Sequence, residues 1–413
     1  MAAGDRIFMA KESTSQEILA NTEKIIAGAK ERPKRYGMRI NRLDSNPATR
    51  VKYIFDAVGM TPAGMNFNGG GFDYGDWGDV WFVKNNRPVM LKTDGTVDYE
   101  LDPNNYALKK AGGASAVANT SYGGNAMSEI PLIWVKRWSQ NNYDFVVFCE
   151  EQYDDTYKAY AHTDADGNIL PVTYFPMFEG AVINGRMRSL SGQTPTASQT
   201  DAQETTAAQQ NGARWDKLSF SEITLMYEMC TLISCHTNSQ TKFGNGCSSA
   251  DAFLQTGTLN GKGQFFGSTG TNAAVKVFHC ENFFGNYWKR LRGLLLINGT
   301  YYVKPVPPYN SEGTGYTNTG LTPSGTSGGY CSRMEMASDI GRIPTVASGS
   351  ETTYECDGLW FNPAIVAVAL FGGARGNGSR CGLSYWDVST PATNVHTHFV
   401  ASLSCKPPVS NAA

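Results

Sequence analysis

Charge of either sign is scarce in these 413 residues: Asp, Glu, Lys and Arg make up 17%, and the formal net charge is −2. A nucleic-acid partner is therefore not expected, because phosphate binding calls for a basic excess. Long apolar runs are also missing. The longest, 364–371, has eight residues, less than half of the roughly 20 that a membrane helix needs. Residues 1–20 mix Lys11, Glu12 and Glu17 with polar residues and hold no apolar stretch of signal-peptide length, which predicts synthesis in a cytosol with the thiols reduced. The nine cysteines follow no compact spacing, so a dense disulfide framework is excluded. Cys230, Cys235, His236 and Cys247 lie close together but fit no zinc spacing, and His396 and His398 lack a third ligand nearby in sequence. No metal is expected. The chain has no Gly-x-Ser-x-Gly, no His-Glu-x-x-His and no phosphate loop, and Glu150, Glu151, Asp154 and Asp155 read as solvated charges. Neither an enzyme nor a cofactor is expected.

What the chain does have is glycine, 44 residues, with 18 prolines and 12% aromatics. That composition favours short strands and tight turns over long helices. The expected fold is α+β and β-rich, and the length suits two to three domains at about 150 residues each. In 1–49, Thr14 and Glu17 have capping-box spacing, and Ile18, Leu19, Ile25 and Ile26 form one apolar face before Pro33. This predicts an N-terminal helix and linker for attachment or oligomerisation. Residues 50–126 read as a small β-rich module, with strands at 80–83 and 89–91 and a hairpin turn at Asp94-Gly95. Strand periodicity runs on from 130 to 178. The Ser/Thr/Gln/Ala-rich stretch 190–214 predicts an exposed loop, and 219–234 a helix with a broad apolar stripe in which Met226 and Met229 fill core. Residues 309–329 read as a surface excursion, and 359–371 and 399–405 as the last strands.

The C-terminal fifty residues are the most informative. Ala364 to Phe371 is followed by Gly372-Gly373, three residues, Asn377-Gly378, two residues, and Cys381-Gly382; a polar and aromatic stretch then leads to Ala401-Ser402-Leu403-Ser404-Cys405. The two apolar ends read as core, with Val366, Val368, Leu370, Leu403 and also Trp360 buried, and the middle reads as displayed surface. This pattern resembles the C-terminal variable region of phage proteins diversified by diversity-generating retroelements. Asn86 to Lys92, Tyr122 to Met127, Met187 to Gly192, and Thr237 to Gln240 with Phe243 to Gly246 are similar to segments of phage tail-tip or receptor-binding proteins.

The resemblance implies a C-type-lectin-like ligand-binding domain over 127–413, with its variable region at 372–400. Variable positions of that family arise from AAY codons mutated at adenine, which cannot encode Lys, Glu, Gln, Met or Trp. The chain holds 18 Lys, 17 Glu, 11 Gln and 13 Met, and none falls between Glu355 and Lys406. Trp386 departs from this rule and is read as framework. The resemblance nominates Ala374, Gly376, Arg380, Ser384, Tyr385, Asp387, Ser389, Thr390, Val395, His396, Thr397 and His398 as ligand-contacting variable positions. It implies a virion tail protein, made in the bacterial host cytoplasm, that binds a host-cell surface protein or glycan and contacts other virion tail proteins; a homotrimer is expected because several copies of a weak site gain strength together and the face of Ile18, Leu19, Ile25 and Ile26 offers a place to cluster subunits. Calcium-bridged sugar binding is not expected, since Glu-Pro-Asn, Gln-Pro-Asp and Trp-Asn-Asp are all absent. The alternatives are a virion-associated glycan hydrolase and a purely structural tail protein.

Overall fold

Among the described residues three main sheets, of ten, seven and four strands, are joined by three two-stranded ones and pack around one fifteen-residue helix. The computed structural model describes residues Arg32–Val409, and the expected N-terminal helix lies outside them. Helix accounts for about 10% of the described residues, so the fold is β-rich as composition predicts. The four-stranded sheet runs Val51–Phe55, Arg35–Asn41, Tyr143–Cys149, Trp134–Gln140. A seven-stranded sheet runs Trp215–Lys217, Leu403–Cys405, Val172–Pro176, Asn125–Pro131, Arg87–Leu91, Val97–Asp102, Asn105–Lys109. The largest, ten-stranded sheet has Trp288–Ile297, Ala367–Phe371, Trp386–Thr390 and Gly358–Phe361 as consecutive inner strands.

The helix Phe220–Ser234 buries all fifteen of its residues. An all-round buried helix must bury apolar side chains and pair its charged ones: Met226 and Met229 are in the core, and Glu228 accepts two bonds from Arg137 Nε and one from Nη2 at 2.8–3.0 Å, while Thr224 Oγ1 is buried without a partner. Its start is the predicted one, with Ser219 and Glu222 closing a capping box.

Several expectations are corrected. The boundary expected at 126/127 falls inside the strand Asn125–Pro131, which pairs with Arg87–Leu91 on one side and Val172–Pro176 on the other. Residues 50–126 thus share a sheet with strands from the second half of the chain, and everything from Arg35 onward forms one compact unit. The stretch 80–83 is no strand: Trp81–Lys84 is one helical turn burying Phe82 and Val83, since a four-residue apolar run carries no periodicity to decide the matter. The expected loop 190–214 contains the helix Asp201–Gln209, with a Thr200/Gln203 capping box. Its burial rests on small Ala207 and Ala208 and on paired charge, a pattern that an apolar-stripe search passes over. Residues 309–329 are largely irregular, with only the two-residue strands Thr317–Asn318 and Ser324–Gly325. Among the described residues no helix is long and apolar enough to cross a membrane.

Candidate ligand-binding surface

Two loops leave the inner strands of the ten-stranded sheet, and the sequence explains where each turns. Ala367–Phe371 ends at Gly372 and Gly373, with φ of +88° and +79°. Gly373 is required twice over, because a Cβ there would also sit 2.6 Å from the Tyr385 ring and 2.7 Å from Cys381 Sγ. The chain then makes the first loop, 374–380. Ser248 O accepts from Gly376 N and Gly378 N, Asn286 O accepts from Arg375 N, and Gln240 Nε2 donates to Gly378 O and Cys381 O at 3.0 and 2.9 Å. After the strand Trp386–Thr390 comes the second loop, 391–398.

That second loop is held by its carbonyls at alternate residues. Ala392 O accepts from Asp201 N (2.9 Å), His396 O from Ser198 N (3.1 Å) and His398 O from Trp288 N (2.9 Å), while Asn394 O accepts from Arg290 Nη2 at 2.9 Å. Arg290 is fully buried. It also donates to Gln199 O at 2.9 Å and pairs with Glu204 at 3.0 Å. Glu204 in turn pairs with Lys217 at 3.2 Å, and Lys217 with Asp201 at 2.5 Å. Burial pushes the Glu204 carboxyl up against the pull of Lys217 and Arg290. For Asp201 burial also pushes up, but Lys217, Ser311 and Arg292 outweigh it and hold the carboxyl below its ordinary value. The helix missed in the sequence therefore supports the loop from beneath.

The twelve nominated residues divide into two groups. Gly376, Val395, His396 and Thr397 are exposed, and Arg380, Ser389 and His398 half-buried. Ala374, Ser384, Tyr385, Asp387 and Thr390 are buried, which corrects their assignment as surface contacts. The reason is topological: Trp386–Thr390 is an inner strand between Ala367–Phe371 and Gly358–Phe361, so the polar tint of this segment is absorbed internally. Ser384 N and Oγ both donate to Asp357 Oδ2 at 2.8 Å. Asp387 accepts from Ser389 N and Oγ at 2.7 and 2.6 Å, and burial pushes its carboxyl up. Tyr385 packs among Trp288, Leu370, Ala374 and Phe399, its hydroxyl accepting from Trp360 Nε1 at 2.8 Å. Two residues expected in the core are instead partly open, Trp360 at 39% and Val366 at 43% exposure; Val368, Leu370 and Leu403 are buried as expected.

Residues outside the nominated set complete the surface. The Arg375 guanidinium lies 4.4 Å from the Phe253 ring centre, Phe253 stacks on Tyr287 at 3.9 Å, and His398 meets Phe253 edge-on at 5.0 Å, with His396 4.9 Å beyond. On the other flank Arg380 lies 5.0 Å over Tyr330, whose hydroxyl is 2.7 Å from Ser379 Oγ. Arg375 sits within the nominated loop without having been nominated; Phe253 and Tyr330 come from segments remote in sequence, and no local pattern marks them. Two aromatic-cationic clusters thus flank loops whose backbone is held mainly by main-chain bonds to other segments, with two side-chain bonds inside the loops: Asn377 Oδ1 accepts from Ala374 N at 2.7 Å and His396 Nδ1 from His398 N at 3.1 Å. Among the described residues no group of three His, Cys, Asp or Glu side chains is placed to hold a metal ion.

No family model and no curated protein sequence matches the chain. Its structural neighbours are phage tropism determinants. It is similar to the Major Tropism Determinant U1 Variant at 11% identity, over 78% of this chain and 72% of that one, with a TM-score of 0.30. The M1 Variant gives 12% identity, 78% and 71% coverage and 0.30, and the P3c Variant 12%, 78% and 71%, and 0.28. Likeness at these TM-scores carries no argument for a common fold or activity.

Proposed function

We propose that this chain is a receptor-binding protein of a phage virion, which presents variable side chains on loops 374–380 and 391–398 to a host-cell surface protein or glycan. The observation that carries this reading is the alternate-carbonyl anchoring of 392, 394, 396 and 398. A loop held through main-chain oxygens keeps its path when its side chains change, which is what a diversified binding surface needs. The exclusion of Lys, Glu, Gln and Met from 356–405 supports the same reading, through the family that the segment resembles. The C-type-lectin-like layout of the C-terminal half, the tail location, a homotrimeric assembly and contacts with other tail proteins belong to this proposal. Binding energy would come chiefly from aromatic and arginine anchors such as Arg375 with Phe253 and Arg380 with Tyr330, surrounded by adaptable polar side chains.

The test is to exchange only 375–380 and 391–398, in the full chain, with those of a relative of different host preference, and to measure binding to cells of both hosts. Preference should travel with the loops. Preference that tracks 50–126 instead overturns the proposal. The hydrolase alternative predicts soluble fragments when the protein is incubated with purified host glycans.

A further inference from the structure

The outward face of the four-stranded sheet carries two facing cations, Arg39 and Lys52, that its own fold does not neutralise. Strand alternation turns Met38, Ile40, Val146 and Phe148 into the core and sends Arg35, Arg39, Lys52 and Lys136 outward, with no Asp or Glu at any outward strand position. Arg39 and Lys52 stand directly opposite each other in the antiparallel pair. Like charges so placed repel, and among the described residues neither forms an ion pair. Aromatic rings take the place of carboxylates. Arg35 lies between Phe55 and Tyr153 at 4.5 and 4.4 Å, Arg39 over Tyr143 at 5.1 Å, and Lys136 over Trp138 at 5.6 Å. A ring holds a cation in place without cancelling its charge. Glu150, Glu151, Asp154 and Asp155 lie on the connection after Cys149, and Cys149 is paired with Arg35, so these acids sit at the Arg35 end, where Asp154 lines one hollow with Arg35 and Lys136 and leaves Arg39 and Lys52 as the uncancelled pair. At the other end, Asp44 of the connecting loop is occupied by Asn46 N and Thr49 Oγ1.

We propose that this face, centred on Arg39 and Lys52, binds an acidic polysaccharide, as a site separate from the C-terminal loops. Two uncancelled cations side by side, one of them held over a ring, call for an anionic occupant. An acidic glycan fits better than a nucleic acid, because the sugar C–H groups between its carboxylates can meet the rings beside Arg39, and the chain as a whole is at −2, which disfavours a polyphosphate. Trp138 and Phe145, stacked at 4.6 Å, lie in the same cross-strand row as Arg39 and Lys52 and offer apolar edges for sugar C–H groups.

The experiment measures binding of the full-length protein to sodium alginate, neutral dextran and a single-stranded oligothymidylate at about 50 mM salt, low enough to leave surface charge largely unscreened, with the Lys52→Glu variant and the Arg39→Gln/Lys52→Gln variant beside the native chain. Expected are saturable alginate binding, at least tenfold weaker dextran and oligothymidylate binding, and at least tenfold loss of alginate binding in both variants. Lys52→Glu places an anion opposite Arg39 and removes the repulsion, so its melting temperature should be equal to or above that of the native protein; this separates loss of the site from loss of the fold. Alginate binding retained within twofold in the variants, dextran binding equal to alginate, or tighter binding of the oligothymidylate each overturns the proposal. Neither result bears on the loop-exchange test, which leaves this sheet unchanged.

Discussion

Residues 381–388 and 391–398 look alike as sequence, both short mixtures of Ser, Thr, Asp or Asn with aromatics or His, yet they hold the fold by opposite means. The first uses side chains: Tyr385 fills a cluster with Trp288 and Leu370, and Ser384 donates through both its amide and its hydroxyl to buried Asp357. The second uses chiefly carbonyls, with 393–397 exposed and a single side-chain bond of its own, from His398 N to His396 Nδ1. Where the backbone makes the bonds, the side chain is free to change; where the side chain makes them, it is not. On the proposed reading, the positions free to diversify are therefore 375–380, 389 and 391–398, about half of 372–400.

The comparison is broken most severely by removing the shared anchor. Arg290→Met takes away the donor to Asn394 O and Gln199 O and leaves Glu204 one cation short in the core. Breaking a buried pair in this way costs about 3–5 kcal/mol, read as a lower urea midpoint, and binding should fall with it because the loop is released. A variant as stable as the native chain would mean that the loop is held by something else. Next in size is Tyr385→Phe, which keeps the ring in its cluster and removes the acceptor for Trp360 Nε1. The expected loss is about 1 kcal/mol by the same measurement, and a change near zero would return Tyr385 to the freely variable positions.

How much of this is legible in the sequence depends on whether the signal is local. The helix at 219–234 is legible because Ser219 and Glu222 mark its start and its apolar residues recur at helical spacing. The strands around Val89 and Phe145 are legible from their apolar and aromatic content. The helix at 201–209 escapes for want of an apolar stripe, although Thr200 and Gln203 stand at capping-box spacing and could give it away. The split of the C-terminal segment is not legible at all. Whether Ser384 or Thr397 faces solvent depends on which strands flank it, and the parallel pairing of Gly358–Phe361 with Trp386–Thr390 is a long-range fact. Residue type places Trp360 in the core, but its ring lies over Gly328 at the surface, with its indole nitrogen tied to the hydroxyl of Tyr385.

Smaller effects are expected from the exposed side. Val395→Ala, His396→Ala and Thr397→Ala should each shift stability by no more than about 0.5 kcal/mol while altering ligand affinity. A destabilisation of about 1 kcal/mol at any of them, beyond what exposed positions usually show, would erase the difference between the two stretches.

The smallest effect sharpens the boundary between them, at His398. Burial, then the charges of His396 and Arg375, holds its pKa below the ordinary 6.5; the half-buried ring meets Phe253 edge-on. With its folded pKa depressed, the native state binds fewer protons than the unfolded chain as the pH falls through 6.5, so acidification removes stability through this group instead of adding it. A histidine NMR titration should place His398 below 6.5, and Arg375→Gln should move the midpoint upward by relieving the charge across Phe253. A midpoint at 6.5 in the native protein, unmoved by Arg375→Gln, would show His398 to be as loosely held as Thr397 and would shift the edge of the fixed framework to Phe399.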